Sequence, residues 1–154
     1  AADQKLDKAN PAGSGSFSLN RKEATVVGVN SVAIGVSPTA SGYATHAEGH
    51  NTVASDLASH AEGYSTEASG RYSHAQGRYN IKDTQGKYVH IVGNGNNDEN
   101  RSNAHTLDWQ GNAWFAGTVE GTALILKSST AGSSKRFRIT VDDSGTLSAT
   151  EVTT

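Results

Sequence analysis

Three histidines recur every fourteen residues, at His46, His60 and His74, each two positions before an acid or amide: Glu48, Glu62 and Gln76. Residues two apart on an extended strand share a face, so imidazole and carboxylate or amide would stand side by side. If three copies met with this face on a threefold axis, each rung would gather three imidazoles. That is enough to hold Zn, Ni or Fe, with carboxylates accepting the second ring N–H. Metal-free, the same residues make either His–Glu ladders where chains meet or a solvated outer face. We favour the ladder, because Val32 and Ile34 hold the equivalent positions in an apolar copy of the unit. No cofactor beyond such an axial metal is expected.

Other chemistry is less well supported. Glu48 and Glu62 are repeat equivalents in near-identical surroundings, which defeats the unlike acid and base roles of a glycosidase pair. No Ser-His-Asp arrangement can be argued, so an enzyme is not expected. Asn94-Gly95-Asn96-Asn97-Asp98-Glu99-Asn100 offers oxygen ligands without the spacing of a known calcium loop, and reads as an exposed loop. The aromatic residues bunch: Tyr64, Tyr72, Tyr79 and Tyr88, then Trp109, Trp114 and Phe115. Beside Asn, Asp and Gln they suit stacking on sugar rings, with Trp109, Trp114, Tyr72 and Tyr79 the candidate receptor residues. The competing and favoured reading makes the two tryptophans the core of a domain with little else to bury. Lys127, Lys135, Arg136 and Arg138 form a modest basic patch that a solvated strand face explains.

The histidines sit in a larger rhythm. Ala-x-Gly triplets recur every seven residues from Ala33-Ile34-Gly35 to Ala75-Gln76-Gly77, broken at the glycine position only by Asp56. Alternate triplets are more alike, so the true period is fourteen: Ser31-Val32-Ala33-Ile34-Gly35, Thr45-His46-Ala47-Glu48-Gly49, Ser59-His60-Ala61-Glu62-Gly63 and Ser73-His74-Ala75-Gln76-Gly77. Alternation within each unit puts Thr45, Ala47 and Gly49 on one face, and Thr52 and Ala54 on the inner side of the half-rung. Each unit is then two short strands and two tight turns, with glycine supplying the turn conformations. Stacked units make a thin roll of about three and a half turns, rising roughly 17 Å.

The rest of the chain is organised around this stretch. Residues 1–20 read as a lead-in, with a short helix over 2–9 stopped at Asn10-Pro11 and a degenerate rung over Gly13–Asn20. Residues 21–80 are the roll. Residues 81–127 form a connector with a buried strand at Tyr88–Gly93 and a hairpin turning at Gln110-Gly111-Asn112, where Leu107 and Trp109 face Trp114 or Phe115. Residues 128–154 hold a link over 128–134 and a hairpin turning at Asp142-Asp143-Ser144-Gly145, which would lock chains in register.

The 154 residues carry 34% hydrophobic content and a net charge of −2, too little charge for a disordered chain of this hydrophobicity. A monomer so poor in large apolar side chains would barely offset its chain entropy, so an obligate oligomer is expected. Disulfides are excluded by the absence of cysteine. The absence of methionine suggests a fragment or processed chain. No signal peptide or run of about 18 apolar residues is visible, and no basic footprint for nucleic acid. A soluble, exported or particle-borne piece without nucleic-acid or membrane partners is expected.

The Ser31–Gly35 unit and the fourteen-residue repeat around it resemble the head repeat of YadA-like trimeric autotransporter adhesins. The variants Ser59-His60-Ala61-Glu62-Gly63-Tyr64 and Ser73-His74-Ala75-Gln76-Gly77 are more similar to repeats in tail-fibre and tail-tip, receptor-binding proteins of phages and prophages of Gram-positive bacteria. So are Leu6–Pro11 leading into Gly15–Asn20, and Leu107–Gly117. The resemblance implies an all-β homotrimer: a left-handed parallel β-roll, or intertwined triple β-helix, followed by a small β-hairpin module. It implies a virion tail or extracellular particle, a bacterial cell-surface glycan as receptor, and other tail or baseplate proteins as partners. The alternatives are a bacterial surface adhesin head binding host matrix protein, lacking here the expected heptads and anchor, and a ligand-free structural spacer.

Overall fold

The computed structural model describes residues 15–152; the short helix expected over 2–9 lies outside them. Among the described residues every element is a strand. The first is β1 (Phe17–Leu19), followed by alternating long and short strands: β2 (Val32–Val36), β3 (Thr39–Ala40), β4 (His46–His50), β5 (Val53–Ala54), β6 (His60–Tyr64), β7 (Glu67–Ala68) and β8 (His74–Arg78). After the repeat come β9 (Tyr88–Asn94), β10 (Asn103–Asp108) and β11 (Ala113–Phe115). Last are β12 (Leu124–Lys127), β13 (Arg136–Val141) and β14 (Leu147–Glu151).

The long strands stack in parallel and in register. Ala33 pairs with Ala47 and Ala47 with Ala61, then Ala61 with Ala75 and Ala75 with Ile91. The short strands β3, β5 and β7 stack likewise into a second, three-stranded sheet. The chain thus climbs one rung per fourteen residues, and the small residues expected inside are inside. Ala33, Ala47, Ala54, Ala61 and Ala75 are fully buried, with Ser31, Thr45, Ser59, Thr52 and Thr66 beside them. Alanine suffices because consecutive rungs, about 4.8 Å apart, cover each methyl from above and below.

Glycine plays a different part from the one expected. The left-handed corner positions are Asn30, Ala44, Ala58 and Tyr72 at one corner and Ser37, Asn51, Ser65 and Tyr79 at the other, with φ between 43° and 59°. Their N–H groups reach the preceding rung, as Ala58 N does to the Tyr43 carbonyl at 2.8 Å and Asn51 N to that of Val36 at 2.8 Å. Gly49 and Gly63 are the fourth residues of β4 and β6, where a Cβ would lie 2.2 Å from the carbonyl oxygen of the glycine one rung on. There φ is also +108° and +104°, so close approach and backbone angle both demand glycine.

The roll is longer than the three and a half turns expected, with six long strands in parallel from β1 to β9. β1 realises the degenerate rung, pairing Phe17 with Val32. β9 is a further rung rather than part of a separate connector. It pairs His74 with His90 and Gly77 with Gly93, sixteen residues on instead of fourteen. Buried polar side chains stand in for the short strand missing from this turn. Asn80 accepts from Glu67 N at 2.7 Å and returns a bond to the Glu67 carbonyl at 3.0 Å, as a further strand would. Asp83 accepts from Tyr88 N at 2.8 Å, and Asn103 from Ile81 N at 2.9 Å.

Antiparallel strands β10 and β11 then continue the long sheet. Their turn falls where expected, closed by the Asp108 carboxylate accepting from the Asn112 and Gln110 backbone. The facing residues differ: Leu107 opposes Ala113, Thr106 opposes Trp114 and His105 opposes Phe115. Trp109 lies in the turn, and its indole N–H donates to the Gly86 carbonyl at 3.0 Å.

The chain divides into two compact units, Ala1–Gly117 and Thr118–Thr154. In the second, β12, β13 and β14 form one antiparallel sheet, so the stretch 128–134 is the turn joining β12 to β13 rather than a link between modules. The expected turn at Asp142–Gly145 is present, with Gly145 N donating to the Asp142 carbonyl at 2.9 Å. Of the basic patch, Lys135 pairs with Glu151 at 3.0 Å.

Candidate functional site: a histidine column and an aromatic cleft

Register alone fixes the histidine site. Because His46, His60 and His74 hold one position in β4, β6 and β8, their rings stack within a single chain. Centroids are 4.5 Å and 4.6 Å apart, with interplanar angles of 11° and 5°. The column runs on through two histidines that the sequence reading did not include. His90 follows His74 at 5.3 Å, His105 follows His90 at 5.6 Å, and Phe115 closes the column 4.5 Å from His105. A usable signal did exist: His90-Ile91-Val92-Gly93 keeps the His-x-x-Gly order of His74-Ala75-Gln76-Gly77.

The acids line up beside the rings. Glu48 reaches His46 in its own rung at 3.6 Å, while Glu62 reaches the next rung, 3.3 Å from Nε2 of His74. Gln76 meets Nε2 of His90 at 3.1 Å. The Glu62–His74 contact is close but lacks hydrogen-bond geometry, so Nε2 of His60 and of His74 are both buried without a hydrogen-bond partner. Burial, then the neighbouring rings of His74 and His46, holds the His60 pKa below 6.5 against the pull of Glu62 and Glu48. His90 is lowered in the same way, by burial first and then by His74 and His105. Neutral rings stack without repulsion, and that is the state favoured at His60 and His90.

His60, Glu62 and His74 bring one ligand atom each within 4.8 Å of one another. A single metal needs lone pairs that converge at about 2.0–2.1 Å, whereas rings 5° from parallel aim theirs side by side. One chain alone is therefore a poor chelator. A groove of about 430 Å³ runs beside the column, lined by Glu48 and Glu62 and floored by Gly35, Gly49, Gly63 and Gly77.

The four candidate receptor residues separate into three places. Tyr72 and Trp109 line one cleft of about 410 Å³ together with Asp56 and Arg71. Trp114 lines a different cavity, of about 580 Å³, with Tyr88 and Asp108. Tyr79 joins a second ring column, 5.3 Å from Tyr64, which stacks on His50 at 4.6 Å; the Arg101 guanidinium lies over Tyr79. A hydrogen bond with Tyr79 raises the Tyr64 phenol above its ordinary pKa. The favoured core role for the tryptophans does not hold. Trp109 is 47% and Trp114 55% exposed, because the interior is the alanine column and leaves no room for an indole. In the Asn94–Asn100 loop, Asp98 is held by Arg101 and Asn97 accepts from Asn100 N at 2.8 Å. Those oxygens serve the loop itself.

Stacked parallel strands of this kind define a β-solenoid, here of about six turns. No family model, curated protein or solved structure matches the chain.

Proposed function

We propose that this chain is a structural segment of a homotrimeric fibre, part of a phage or phage-derived tail, that contributes to attachment to host-surface polysaccharide. The observation that carries the trimer is the uncovered face of the C-terminal sheet. Cross-strand register places Leu124, Leu126, Phe137, Ile139, Val141, Leu147 and Ala149 on one face, with Glu151 at its end, and Ile125, Lys127, Arg136, Arg138 and Thr140 on the other. Beyond Thr106 no described residue is buried. A three-stranded sheet needs a covered apolar face to persist, and two further copies supply that cover symmetrically. The part-exposed rings of His46 and His74 and the glycine-floored groove offer a second self-facing surface on the roll. In this reading the rolls are left-handed and meet along the His/Glu face, where an axial metal at His46, His60 or His74 would need one ring from each chain.

Attachment to a polysaccharide rests on the resemblance of the repeat variants and their flanks, and on exposed aromatics beside polar side chains. Threefold display turns weak single sites into firm adhesion.

Sedimentation of the purified chain tests the assembly: a trimer is expected, and a stable monomer would end the reading. Adsorption to intact Gram-positive cells tests attachment. Binding to a panel of matrix proteins instead of cells would favour an adhesin head, and binding to neither would leave a spacer.

A further inference from the structure

Three departures from the repeat converge on one cleft. Asp56 stands where the equivalent rungs have Gly42 and Gly70. Arg71 occupies the position of Tyr43 and Leu57. Tyr72 occupies the left-handed corner that Ala44 and Ala58 hold, at φ 59°, a conformation unfavourable for a bulky aromatic side chain. The roll has no need of any of them, since its other rungs close without them. From outside the repeat, the β10–β11 turn brings Trp109 to the same cleft.

We propose that this cleft binds an uncharged pyranose ring; the proposal rests on the attachment reading above and gives it a location. The indole N–H of Trp109 is already donated to the Gly86 carbonyl, which fixes the ring and leaves its face, not its edge, for contact. Tyr72 is 58% exposed and adds a second aromatic surface. The apolar C–H side of a pyranose packs on such faces while its hydroxyls turn to polar groups. Asp56 already accepts from Leu57 N at 2.7 Å, so the carboxylate is oriented, and an oxygen pair takes more than one donor. Arg71 Nε lies 3.9 Å from Asp56 Oδ1, beyond hydrogen-bond range, so the guanidinium is free to donate to a hydroxyl placed between them. One acid and one base cancel, which selects a neutral sugar over a phosphate polymer. A cleft of 410 Å³ is at the small end of ligand sites, about 300–1,000 Å³, sized for one or two rings.

The test restores the repeat. The triple variant Asp56→Gly, Arg71→Leu, Tyr72→Ala puts at each position a residue the roll already uses in the same register, so folding should survive, as far-UV circular dichroism would verify. Trp109→Gln is the second variant and leaves the roll untouched. Saturation-transfer NMR on the full chain uses methyl glucoside, galactoside, N-acetylglucosaminide and rhamnoside, with glycerol phosphate as the anionic control. The expected result is transfer from at least one pyranoside and none from glycerol phosphate, with affinity at least tenfold weaker in both variants. Unchanged affinity in either folded variant, or no transfer from any pyranoside, overturns the site. Cell adsorption separates the two readings. Adsorption retained by the triple variant overturns the cleft as the location of host attachment and spares host attachment itself. A parent protein that takes up pyranoside but ignores cells keeps the site and removes host attachment.

Discussion

The roll and the C-terminal sheet solve the problem of burial in opposite ways. The roll encloses nothing larger than Ile91, and mostly alanine, serine and threonine, yet these residues are fully buried. The C-terminal sheet holds leucine, isoleucine, valine and phenylalanine, and buries none of them; Leu124 is 58% and Leu147 69% exposed. Side-chain size therefore does not decide what is inside. A coiled chain makes its own lid with each successive rung, whereas a single meander has two open faces and depends on a partner for one of them.

That contrast can be broken most severely at the glycine ladder. Gly63→Val drives a side chain into the Gly77 carbonyl, 2.2 Å from where its Cβ would fall, and should cost about 4 kcal/mol or more; thermal melts by circular dichroism should show the roll lost. Ala61→Leu overfills a column closed above and below and should cost about 3 kcal/mol, read as a lowered urea midpoint. In the C-terminal sheet, Leu126→Asp should leave the circular dichroism of the roll unchanged while sedimentation shifts from trimer to monomer. Gly145→Ala sharpens the comparison from the mild side. Its Cβ would meet nothing within 4 Å, so only the +83° φ opposes it, at about 1 kcal/mol.

The smallest effect is a pH dependence of the histidine column. His60 and His90 have folded-state pKa values below the unfolded 6.5, so the unfolded chain binds protons first as pH falls. Their neutral stacking then contributes fully above about pH 6.5 and is lost below it. The melting temperature should fall on going from about pH 7.5 to about pH 5.5, and His60→Gln with His90→Gln should flatten that slope. A slope of the opposite sign would mean that Glu48 and Glu62 dominate the column.

Much of this was legible because the repeat is strict. Two-residue alternation placed Ala47 and Thr45 inside and His46 outside, and the fourteen-residue period fixed the pairing of every long strand from Val32 to Arg78. The reading failed where the physics stopped being periodic. β9 was expected as a strand, but its place as a rung was hidden because its turn is two residues longer and is closed by Asn80, Asp83 and Asn103, whose amide and carboxylate groups imitate a strand without resembling one in sequence. With β9 went His90 and His105. Glycine was given the corners because glycine favours positive φ, but asparagine, serine, alanine and tyrosine hold the corners. What demanded glycine was the close approach of successive rungs together with positive φ within the long strands, neither of which one chain's pattern displays. Trp109 and Trp114 were read as core because they are large, in a molecule whose core admits nothing large.

The in-register glycine ladder also makes the molecule a ruler. Excising residues 46–59 would join Thr45 to His60 and hand every hydrogen bond to an equivalent partner, shortening the roll by one graduation of about 4.8 Å. Excising seven residues would set a long strand against a short one and leave both ladders unmatched. Length in such a protein is quantised, and whatever it connects can be moved apart or together only in whole steps.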